Sequence, residues 1–220
     1  MIRWRAAMRL LPLAAAVALV LATCGPKTLA LPADPIDRAA TCGVIAAVEA
    51  RAATDDIKAS LPFAAQGRII HYALLAGAEG GSFSTARAAA VNDRMGALEP
   101  AIIKGKWQTL LPACRAAFPA AAVSDVRLPS DSLQARLGCD ALGDFLVKTM
   151  GQQGSAYGNE LLPYRHLGET LDRSAMIGAL RQRAGRGLEA QQDERRRALA
   201  AIVQSGSPMA VMDRCIRRYG

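Results

Sequence analysis

Apolar residues recur at helical spacing along most of the chain. Over 131–150 the stripe Leu133, Leu137, Ala141, Phe145 and Met150 marks one face of a helix. The same reading predicts helices over 36–53, 63–77, 84–98, 106–118, 131–150, 156–166, 170–184, 187–204 and 208–219. Ser84-Thr85 and Ser130-Asp131 offer N-caps. Pro112 starts or kinks one helix, and Pro119 ends it. The loop Ala78-Glu79-Gly80-Gly81-Ser82-Phe83 reads as a turn or a lid. Residues 31–35 read as an extended tail. Strand alternation is sparse, so the expected class is all-α: an Ala-rich bundle of eight or nine helices.

Composition sharpens this picture. The chain carries 45 Ala against 21 Val plus Ile, and 22 Arg against 5 Lys. Ala and Arg favour helix, but each buried Ala removes little area from water. Such a core needs support from elsewhere.

The N-terminus reads as a secretory leader over 1–30. Arg3, Arg5 and Arg9 precede an apolar run from Leu10 to Ala22. That run is shorter than the roughly 20 residues that span a bilayer. Thr28-Leu29-Ala30 places small residues for cleavage after Ala30, and Val20-Leu21-Ala22 is the alternative. Leu21-Ala22-Thr23-Cys24 resembles a bacterial lipobox, which implies lipidation of Cys24, although Thr23 departs from the pattern. The leader carries four basic residues and no acid, so the mature net charge falls from +8 to +4 (23 basic, 19 acidic). That balance does not call for nucleic acid. No later run is apolar and long enough to span a membrane.

Beyond Cys24 stand Cys42, Cys114, Cys139 and Cys215. An even number in an exported chain points to disulfides. Leu110, Leu111 and Phe118 stand at −4, −3 and +4 from Cys114, and Val211, Met212 and Tyr219 at the same offsets from Cys215. Asp93-Arg94-Met95-Gly96-Ala97-Leu98 is echoed by Asp172-Arg173 and Met176-Ile177-Gly178-Ala179-Leu180. The reading is two related halves, 31–118 and 131–220, joined by a linker over 119–130. The favoured pairing is Cys42–Cys114 with Cys139–Cys215; the nested pairing Cys114–Cys139 with Cys42–Cys215 is the runner-up.

Familiar catalytic patterns are missing. Gly185-Arg186-Gly187-Leu188-Glu189-Ala190 matches a dinucleotide fingerprint, but no strand precedes it. No phosphate-cradling GxxxxGK[ST] loop and no GxSxG elbow occurs. Two histidines, His71 and His166, exclude any three-His site, and no cofactor or metal is expected. The remaining functional candidates are His71, Tyr72, Tyr164, His166 and Glu169. Arg195, Arg196 and Arg197 could touch anionic envelope surfaces, or form a solvated face with local ion pairs.

The expected function is therefore an exported, periplasmic, non-enzymatic binding or envelope-associated module. The alternatives are a hydrolase with a site between the halves and a lipoprotein anchored through Cys24.

Overall fold

A computed structural model of the protein describes residues 29–56, 58–123, 125–171 and 173–220. The leader expected over 1–30, with the lipobox cysteine, lies outside these residues except for Leu29 and Ala30. Among the described residues there are nine α-helices and no strand: α1 (Pro35–Ala52), α2 (Phe63–Gly77), α3 (Thr85–Lys104), α4 (Leu111–Ala117), α5 (Ser132–Gly151), α6 (Leu162–Thr170), α7 (Arg173–Ala184), α8 (Leu188–Val203) and α9 (Pro208–Tyr219). The all-α expectation is met. Short 3-10 turns cover Trp107–Leu110, Pro119–Ala122 and Gly154–Tyr157.

Local chemistry sets most of the boundaries. The Asp34, Ser84 and Asp131 side chains accept from the backbone N–H groups of Asp37, Arg87 and Gln134, which caps α1, α3 and α5. Proline sits in the first turn of α1, α4, α6 and α9, where no N–H partner is lost. Two expected boundaries are corrected. The helix expected to end at 98 runs through Pro100 to Lys104. Gly96, whose carbonyl loses its partner there, is exposed, and the added turn buries Ile102. The helix expected over 156–166 is a 3-10 turn followed by α6, because Pro163 starts the helix there.

Disulfides join Cys42 on α1 to Cys114 on α4, and Cys139 on α5 to Cys215 on α9. The Cα separations are 5.6 Å and 5.8 Å. This is the favoured pairing. α1 packs on α2 and α3, and α5 packs on α6 and α8. α2 also packs on α8 and α9, so one continuous core holds all four cysteines. α5 is buried nearly all round: Ala135, Leu142 and Leu146 are as deeply set as Leu137 and Met150 of the expected stripe.

Small residues let the helices meet closely. A Cβ on Gly138 of α5 would lie 2.9 Å from the Ala198 carbonyl oxygen of α8. The loop after α2 is a pinned turn: the Phe83 N–H donates to the Arg196 carbonyl at 3.1 Å, and Arg87 donates to the Glu79 carbonyl at 2.8 Å. The tail is held as well. Leu29 packs where a Cβ on Gly105 would stand, and Leu31 lies against the core.

Candidate functional site

The expected functional residues fall in three places. His71 on α2 is 1% exposed, and its Nε2 lies 2.8 Å from the Val203 carbonyl at the end of α8. A carbonyl only accepts, so Nε2 carries the proton and the ring is neutral. Burial pushes its pKa down from 6.5 to about 4, against the opposing pull of that hydrogen bond. Tyr72 is half-buried and stacks edge-on against Phe118 at 5.3 Å. Burial, and then the Glu49 charge, pushes its pKa up.

His71 and Tyr72 line a cavity of about 170 Å³ beside Cys114, with Glu49, Arg68 and Arg115 among its other walls. A histidine and a carboxylate therefore share one cavity. Among the described residues no serine or threonine lines it, and its cysteine is held in a disulfide. The one ring nitrogen placed by a hydrogen bond is spent on backbone, so His71 serves as a joint between α2 and α8.

Tyr164 is buried on α6 and its hydroxyl donates to the Met209 sulfur at 3.3 Å. Burial raises its pKa. His166 and Glu169 meet at 3.4 Å on the outer face of the same helix, with side chains 69% and 78% exposed. The structure thus brings His71 together with Tyr72 and leaves Tyr164, His166 and Glu169 apart from them. Among the described residues no group of three or more His, Cys, Asp and Glu is placed to hold a metal ion.

The arginine run is neutralised locally. Arg195 approaches Asp140 at 3.8 Å, Arg196 pairs with Asp193, and Arg197 pairs with Glu194 at 2.7 Å. Asp140 is 9% exposed and is also approached by Arg173 at 3.7 Å. Both arginines lie beyond hydrogen-bond reach, and its Oδ1 is buried without a hydrogen-bond partner. Burial dominates and raises the carboxyl pKa; Asp144 adds to this, while Arg173 and Arg195 oppose it.

A larger cleft opens where α2, α3 and the end of α5 converge. Its volume is about 360 Å³. Ile69, Ile70, Ala73, Ala88, Met95 and Phe145 make an apolar floor. Gln66, Asn92, Thr149, Gln152 and Gln153 bring amides and a hydroxyl to it, with Thr85 beside them. None of the described residues that line it is charged, in a chain with 21% charged residues. An apolar floor with a few polar groups, in this size range, is the usual make-up of a small-ligand site. Side-chain amides both donate and accept, so they match neutral hydrogen-bonding groups better than ions.

None of the cleft residues stood out in sequence as a site. The one local signal is Gln152-Gln153, an uncharged polar pair ahead of Gly154 at the end of the strongest helical stripe. Gln66 and Asn92 reach the cleft only through the packing of α2 on α3.

No protein-family model matches the chain, and no curated protein and no solved structure shows significant similarity to it.

Proposed function

We propose that the protein is an exported, periplasmic, non-enzymatic binding module whose ligand sits in the uncharged cleft between α2, α3 and α5. The observation that carries this reading is the cleft lining, an apolar floor with several amides and no charge. Its alternation of amide and hydrocarbon suits a neutral peptide segment, with apolar side chains on the floor and main-chain amides against Gln66, Asn92, Gln152 and Gln153.

Two disulfides support an oxidising compartment. No described helix is long and apolar enough to cross a membrane. In this reading two related halves, 31–118 and 131–220, meet through α2, with 119–130 between them. The leader in this reading is removed after Ala30, with removal after Ala22 or lipidation at Cys24 as the alternatives.

The test is thermal unfolding with N-acetyl-leucine amide, and with N-acetyl-aspartate as its charged counterpart. The neutral amide raises Tm, the anion does not, and Ala89→Arg at the cleft edge abolishes the effect. Equal responses to the two probes, or no response to either, would overturn the reading.

A further inference from the structure

A second basic surface differs from the arginine run in one respect: its charges have few local acids. Arg214, Arg217 and Arg218 on α9, with Arg127 and Leu128 ahead of α5, line an open concavity of about 470 Å³. Among the described residues no ion pair joins Arg214, Arg217 or Arg218 to an acid. Among the described residues Arg127 pairs only with Asp125, at 3.6 Å, and both of those side chains are more than 80% exposed. Asp213, the acid on α9, does not line the concavity, and its charge bears on Tyr164 of α6.

The helix dipole accounts for basic residues in the last turn, where Arg217 and Arg218 stand. It does not account for Arg214 one turn earlier, nor for Arg127 from another segment. Like charges three and four residues apart on one helix face repel, so the cluster costs stability until an anion joins it. The tyrosine at the end of α9 orders the cluster. The Arg218 guanidinium lies 5.3 Å from the centre of the Tyr219 ring, and the Arg136 guanidinium from α5 lies 5.5 Å from it.

We infer that this concavity binds the phosphate groups of a polyanionic ligand. Four guanidiniums face one carboxylate there, and the guanidinium fork matches phosphate oxygens two at a time. The phosphates come either from the headgroups of an anionic membrane leaflet or from a soluble polyphosphate.

Titration with tripolyphosphate at low ionic strength, where exposed charges are least screened, tests the site. Binding is expected, weakened about fivefold by Arg127→Gln and lost in Arg214→Gln/Arg217→Gln. The charge-matched pair Arg196→Gln/Arg197→Gln leaves it unchanged. Arg127 lies outside every helix, so its variant keeps the test open if the double variant fails to fold. Flotation with phosphatidylglycerol vesicles, against pure phosphatidylcholine, separates the sources. Vesicle binding that tripolyphosphate competes away identifies headgroups, and tripolyphosphate binding alone identifies a soluble ligand. Absence of both, or equal losses in the two double variants, would overturn the inference.

Discussion

The two disulfide-bridged stretches, α1–α4 and α5–α9, follow one scheme with different interiors. Each opens with a long helix capped by aspartate, Asp34 or Asp131. Each has a cysteine within that helix, joined to a short proline-started helix 72 or 76 residues later. Each ties an acid near the start of its first helix to an arginine of a later one: Asp37 with Arg94 at 2.5 Å, and Asp131 with Arg183 at 2.7 Å. The difference lies in the buried polar group. The first stretch buries a base whose ring is satisfied by the Val203 carbonyl of the second. The second buries an acid, Asp140, which two arginines approach without a hydrogen bond. A satisfied neutral group joins two helices at little cost, whereas a buried carboxylate at long range taxes the fold.

That contrast can be pressed at several points. The largest effect belongs to the bridges. Removing Cys42–Cys114 as the double Ala variant lowers unfolding free energy by about 4 kcal/mol in the chain-entropy view, measured by urea unfolding. Removal of Cys139–Cys215, which closes a loop of similar length, has a similar effect.

His71 comes next. Its pKa is lowered in the folded state, so the unfolded chain takes the proton first. Its contribution is present above pH 6.5 and is lost as pH falls towards 4. The loss reaches about 3 kcal/mol, and His71→Gln flattens stability over that window. Unchanged pH dependence in the variant would remove the joint from the account.

Glycines separate the stretches further. Gly138→Ala costs about 1–3 kcal/mol, because the new methyl meets the Ala198 backbone. Gly43→Ala meets only the end of the Met95 side chain, which can turn away, so its thermal shift is much smaller. Equal costs would contradict that distinction.

The smallest effect is a gain. Asp140→Asn stabilises at pH 7 by on the order of 1 kcal/mol, because it removes a buried charge whose arginines stand beyond hydrogen-bond reach. The sign follows from a raised carboxyl pKa: the neutral acid suits the fold, and its contribution is lost as pH rises through that pKa. The gain therefore fades in acid, where Asp140 itself is protonated; the native Asp140 contribution thus falls with rising pH, whereas that of His71 falls with falling pH.

Periodicity and turn chemistry made the helices legible. Ser84 and Asp131 mark their N-caps by residue type alone, and the matched offsets around Cys114 and Cys215 point to the bridging. The start of α6 was less legible, because Pro163 sits inside an apolar run whose helical reading begins earlier. α3 ran past its expected end because burial of Ile102 outweighed the proline. The cleft was hidden for another reason. Gln66 and Asn92 come from two separate helices and Gln152 from the turn that ends a third, and an amide side chain looks the same in sequence whether it faces water or a neighbour. His71 drew notice as a rare titratable residue, but only its distance to the Val203 carbonyl gives it a role. The arginine run drew notice by charge together with its local acids: the pairs with Asp193 and Glu194 lie within α8, and only the approach of Arg195 to Asp140 needed α8 set against α5.

The central claim, that the uncharged cleft takes a ligand, is tested most directly by following the side-chain amide signals of Gln66, Asn92, Gln152 and Gln153 by NMR during titration with N-acetyl-leucine amide. The account predicts saturable shifts in these four, with Arg214, Arg217 and Arg218 unmoved. Shifts confined to other surfaces, or none at millimolar probe, would contradict it.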